Sequence, residues 1–265
     1  MKSARMRALF LLLALLPGLP VQAAESNPAK PGASTASPSA VAPQALARFL
    51  DLAGVRLLCE QAAPLLQNGF PAEQQARLGE AFAADRLCGD LAARLAPQVN
   101  AEQLQEAERL LDSPLARRFT EVEREVGESG AEGLAQYRAQ LGDRPPRPER
   151  LALIKRLDAS ARTSELAALL RYEMGKTQAL LALWARNQDL DEAALAKQTA
   201  SQAEKLRESS RQGVESYMLY AYRQQPSGQL AAYAELYERP EVSDLLRACV
   251  ALLPEVFAAR RAALK

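Results

Sequence analysis

Leucine and alanine recur every three or four residues through most of the sequence beyond residue 44, and this spacing restricts the fold more than any other feature. It places apolar side chains along one stripe of successive helices, which must then bury those stripes against each other. Hydrophobic residues make up 48% of the chain and aromatics only 5%, while the β-branched residues that favour strands are scarce. The expectation is an all-α, multi-helix array.

Proline and capping residues divide the array. Leu46, Phe49, Leu50, Ala53 and Leu57 share one helical face, and Pro64 with the 68–71 segment marks the turn that follows. A second helical stretch runs over 72–97, with a break near Asp85. Asn100 is placed to cap the next helix, with Gln103 three residues on. Ser113 caps another whose first residue, Pro114, has a ring already suited to that position. Residues 143–148 read Asp-Arg-Pro-Pro-Arg-Pro, a stiff connector between an N-terminal half (44–142) and a C-terminal half (149–265). Beyond it, Leu166, Leu170, Met174, Leu181 and Trp184 mark a central buried helix. A long helix capped by Asp189 or Asp191 follows, apolar along only a narrow seam over 197–213.

The first residues carry a different signal. Lys2, Arg5 and Arg7 precede an apolar run over 8–16, then a Pro-Gly break, then Val21-Gln22-Ala23. This reads as a signal peptide (1–23) cleaved after Ala23, since the run is far short of the roughly 20 residues that cross a bilayer. Residues 24–43, rich in Ala, Ser and Pro, read as a disordered tether. The mature chain is therefore expected in the periplasm, exported and without a transmembrane segment. Removing three basic residues changes the formal charge from +1 to about −2, which argues against nucleic acid as a partner.

The sequence contains no histidine, so the commonest general base and the usual zinc ligand are missing together. Neither a catalytic constellation nor a metal or cofactor motif is legible. The acids at Glu121, Glu123, Glu125 and Glu128, and at Asp189, Asp191 and Glu192, read as solvated faces and helix starts, and Arg260 and Arg261 as cations suited to a helix end.

Two stretches align 126 positions apart: Gln103-Leu104 with Leu110-Leu111-Asp112-Ser113-Pro114, and Gln229-Leu230 with Leu236-Tyr237-Glu238-Arg239-Pro240. Each is a short helix with an acidic last turn and a proline-started corner, which suggests two related halves. At these residues the chain resembles an exported bacterial family known as a domain of unknown function, series 2059. Its members carry a helix ending in an aliphatic or aromatic pair and a Ser-Pro corner. The second copy departs from that pattern at Arg239. The resemblance implies an all-helical envelope protein and brings no activity with it.

Three cysteines remain as candidates, with five tyrosines clustered late in the chain. Cys59 and Cys88 lie on apolar faces of helices joined by a short turn. They read either as a disulfide, adding about 3.5 kcal/mol by closing the intervening loop, or as buried thiols. Cys249 reads as core. Tyr217, Tyr220, Tyr233 and Tyr237 could line a groove with Trp184 for a peptide, lipid or glycan, or could fill an inter-helix core. The function expected is a non-catalytic binding or assembly factor of the cell envelope. The alternatives are a hydrolase acting on an envelope polymer through paired carboxylates, and a structural helper holding a partner protein.

Overall fold

The computed structural model describes residues 41–67, 70–129 and 131–264. The signal-peptide reading of 1–23, and the tether reading up to residue 40, lie outside them. The described residues form thirteen α-helices with no strand. The all-α expectation is met.

The first apolar stretch forms three short helices, α1 (Leu46–Leu52), α2 (Val55–Glu60) and α3 (Ala62–Gln67). Gly54 separates the first two at a φ of 73°, a conformation that glycine adopts without a Cβ penalty. Pro64 lacks the N–H that would bond to the carbonyl of Glu60, and the helix is interrupted there. α4 (Ala72–Ala81) and α5 (Ala84–Leu95) are divided at Phe82 and Ala83, just ahead of Asp85. Asn100 caps α6 (Ala101–Leu111), its Oδ1 accepting from the Gln103 N–H at 2.7 Å. Ser113 Oγ accepts from the Ala116 N–H at 3.3 Å at the start of α7 (Pro114–Ser129), and α8 (Ala131–Gln140) follows.

The proline-rich connector is extended over 145–147, and Pro148 is already the first residue of α9 (Pro148–Ala161). α10 (Thr163–Trp184) buries Leu166, Leu170, Met174 and Leu180 and pairs along its length with α11 (Glu192–Ala221), which Asp191 caps. α12 (Ser227–Glu238) and α13 (Pro240–Ala262) complete the chain.

The 126-residue repeat extends to the element boundaries. α6 starts at Ala101 and α12 at Ser227, α7 at Pro114 and α13 at Pro240, while α5 ends at Leu95 and α11 at Ala221. Buried positions correspond too: Leu104 with Leu230, Ala107 with Tyr233, Leu111 with Tyr237, Ala116 with Val242 and Phe119 with Leu245. The third helices reach across the repeat. α7, from the first half, packs on α11 and α12 as well as on α6 and α8, and α13, from the second, packs on α5 and α6 as well as on α10 and α12. Contacts across the proline connector thus place both sets of helices in one compact unit.

Candidate functional site

The packing of α7 on α11 and α12 determines where the tyrosines point. On α7, Glu123 follows Phe119 by one helical turn and precedes Val126 by another, so it shares their inward face. Tyr222 donates to Glu123 Oε1, with the Tyr233 hydroxyl 3.4 Å from the same oxygen. Tyr217 donates to the Glu123 backbone carbonyl at 2.9 Å, and the Tyr233 and Tyr237 hydroxyls lie 3.1 Å apart. Phe119 closes the cluster, its ring stacked on Tyr233 at 4.3 Å and tilted against Tyr222 at 5.1 Å.

Glu123 is part-buried as a residue, but its carboxyl is enclosed by protein, and burial lifts that carboxyl above its ordinary range. The Tyr222 and Tyr233 bonds act in the opposite direction without cancelling it. Tyr222 and Tyr233 are themselves held well above the usual phenol range, first by burial and then by the Glu123 charge. Tyr217 is pushed up to about 12 for the same reasons. These phenols therefore remain donors at neutral pH, directed at an internal acceptor.

The structure brings together only part of the expected aromatic set. Tyr233 and Tyr237 are core residues, 2% and 7% exposed, and Tyr217 is part-buried with its hydroxyl engaged. Tyr220 turns away to the Tyr137 ring at 5.6 Å, with the Arg223 guanidinium stacked over it at 3.9 Å. Its hydroxyl so closely approaches Gly133 that a Cβ there would lie 2.1 Å away. Trp184 ends α10, where its indole N–H donates to Asp189 at 3.1 Å. It stands near the first turn of α11, whereas Tyr217 lies 25 residues further along, a separation of roughly 38 Å at the helical rise. A single groove lined by all five rings is therefore corrected to a sealed tyrosine core, a Tyr220 contact beside it and a remote tryptophan.

A second polar cluster went unread in the sequence. Arg261, 1% exposed, donates from Nη2 to Glu173 Oε2 and to Glu192 Oε1, each at 2.6 Å, and from Nη1 to Thr177 Oγ1 at 3.2 Å. Lys176 joins both acids, at 3.3 Å from Glu173 and closer to Glu192. Burial would raise the Glu192 carboxyl, but its bonds to Arg261 and Lys176 hold it below the ordinary range. The network ties α10, α11 and α13 together. Arg261 is therefore not a simple helix-end cation, and Glu123 and Glu192 are not simply solvated acids. The signal was positional: Glu173 falls on the Leu166, Leu170 and Leu180 stripe, and Arg261 follows Leu253 and Phe257 at intervals of four.

All three cysteines are buried free thiols in this structure. Cys59 on α2 and Cys88 on α5 lie within hydrogen-bonding reach of each other, with Cys249 of α13 nearby. The Cys59 pKa is raised, first by its bond to Cys88 and then by burial, and that of Cys88 is lowered by the same bond. Burial pushes Cys249 up to about 12. Among the described residues, no group of three or more cysteines and carboxylates is placed to hold a metal ion.

Two open surface depressions accompany these interior clusters. One of about 820 Å³ lies at the α10–α11 turn, with Leu183, Leu190 and Ala194 beside Asp189 and Lys197. The other, about 590 Å³, lies between the N-terminal end of α1 and α6, and Glu108 is the acid among its lining residues. Burial raises the Glu108 carboxyl, whereas neighbouring Asp112 is held low by its bonds to Arg117 and to Arg48. Glu123 lines neither depression. Among the described residues, no helix is long and apolar enough to cross a membrane. Comparison with protein-family profiles, with curated proteins and with solved structures returned no match.

Proposed function

We propose that this protein is an exported, non-catalytic binding or assembly factor of the cell envelope, acting in the periplasm through its outer surface on a partner protein. One observation carries the reading: the phenols best suited to hold a ligand point inward at Glu123. An aromatic cluster whose hydroxyls are consumed inside stabilises a scaffold rather than presenting a site. Leu57 and Leu65, 59% and 47% exposed, are the large apolar side chains left on the surface of the described residues, on neighbouring α2 and α3. The charged N-terminal segment, the apolar run and the Ala23 cut support export, and the two proline corners support the likeness to the series 2059 family.

Paired-carboxylate hydrolysis needs two acids facing each other across a cleft, whereas each depression has a single acid in its lining, Asp189 in one and Glu108, whose carboxyl is raised, in the other. Asp112, beside Glu108, is bound to two arginines. The test is native mass spectrometry of the protein recovered from its own periplasm, alongside incubation of the pure chain with envelope glycans and peptides. The expected result is a mature chain beginning near Ala24, bound to a protein subunit that leaves on denaturation, with no turnover. Turnover lost in Glu108→Gln would overturn the reading in favour of the hydrolase. A bound lipid or glycan in place of a protein would overturn the choice of partner.

A further inference from the structure

We propose that Cys59 and Cys88 are a redox-active pair that closes to a disulfide, leaving Cys249 as a thiol. The proposal builds on the export reading for its setting but not for its chemistry. The two cysteines come from packed helices, α2 and α5, both are buried free thiols, and their side chains lie within hydrogen-bonding reach. Cys249, on α13, interacts with Cys88 through charge alone and lacks the side-chain contact that joins Cys59 to Cys88.

Access and acidity also separate the roles within the pair. Cys88 is 6% exposed against 2% for Cys59, and the bond from Cys59, followed by the Arg56 charge, favours its thiolate against burial and the Asp51 and Asp85 charges. Arg56 is held beside it by Asp85 at 2.5 Å. A thiolate of this kind is the one that attacks first. The Cys88 thiolate attacks one sulfur of an external disulfide, forming a mixed disulfide and releasing one thiolate. Cys59 then loses its proton to solvent and attacks the Cys88 sulfur, expelling the second thiolate. The external disulfide gains two electrons and leaves as two thiols, while the pair is oxidised by the same two electrons.

The closed bridge would fasten α2 to α5 and enclose α3 and α4 in its loop. Leu65 lies inside that loop and Leu57 two residues before it, so the exposed leucines sit on a segment whose freedom the bridge restricts. Oxidation state would then control how firmly the proposed contact surface is held.

The test treats the full, reduced chain with excess glutathione disulfide, alkylates the remaining thiols and reads intact and peptide masses. The expected product is roughly 2 Da lighter before alkylation, with a 59–88 cross-linked peptide and one alkyl group, on Cys249. In Cys59→Ser the reaction should stop as a glutathione adduct on Cys88. Three alkylated thiols, or a bridge that includes Cys249, would overturn the proposal. The same mass readout on periplasmic protein separates the two readings. A chain cut near Ala24 with Cys59 and Cys88 both free sinks the bridge, whereas an uncut chain counts against export and leaves the glutathione reaction to decide.

Discussion

Glu123 and Arg261 show two ways of putting charge inside a helical protein, and they respond oppositely to mutation. The bonds that reach the Glu123 carboxyl come from phenols, and burial outweighs them, so its charged form is disfavoured in the folded chain. A carboxyl whose folded pKa is raised stabilises the fold fully below the unfolded range, near pH ~4.3, and that contribution is lost as pH rises through the folded value. Glu123→Gln retains a carbonyl acceptor for Tyr222 and removes the charge. Denaturant unfolding at pH 7 should show it as stable as the parent or more so, by about 1 kcal/mol, with the difference shrinking towards pH 4. A loss of stability at pH 7 would mean that the charge itself is needed. Arg261 is different, because it neutralises Glu173 and Glu192 and satisfies Thr177 at once. Arg261→Met leaves those acids with Lys176 alone, and urea unfolding should register a loss of about 3–5 kcal/mol. Neither residue stood out in the sequence, because Glu123 is flanked by exposed Glu121, Arg124 and Glu125, and Arg261 by a second arginine. A buried ion is recognised by the partners that reach it, and those come from helices distant in sequence.

At the scale of elements, most boundaries were legible. Asn100, Ser113 and Asp191 cap the helices they precede, since short polar side chains satisfy N–H groups that a helix start leaves open. Pro114, Pro148 and Pro240 begin helices where a missing N–H is harmless. The single helical face expected from Leu46 to Leu57 is instead divided at Gly54, and Pro64 lies within α3 rather than in the turn that follows. The narrow apolar seam of α11 also has a physical counterpart in the exposed pairs Arg207–Glu204 and Arg211–Glu208, which solvent screens. What the repeat could not reveal was that α7 and α13 bridge the two halves, because aligned boundaries carry no record of contacts between copies. The bridging has a direct consequence. A protease site inserted into 143–147 and cut in the folded protein should leave both fragments eluting together at the parent size, separating only in denaturant. Fragments that part in native buffer would mean that the two sets of helices stand independently.

For the whole molecule, the same interlock predicts cooperative unfolding. Because α7 packs on α11 and α12, and α13 on α5 and α6 as well as on α10 and α12, melting either half uncovers apolar surface of the other. Calorimetry should give one transition whose calorimetric and van't Hoff enthalpies agree, and two resolved transitions would refute the coupling. By itself, the sequence determined the helical class, the corners, the repeat and the expectation of export. These depend on local chemistry: periodicity, capping, proline geometry and a short charged and apolar segment read along the chain. Only the tertiary structure decided that the tyrosines turn inward onto Glu123, that Trp184 stands far from them, that Arg261 joins three helices, and that Cys59 faces Cys88. Those outcomes depend on which helix faces which. Helix faces are paired by the burial of whole stripes, and many pairings satisfy the same periodicity until the chain closes on one.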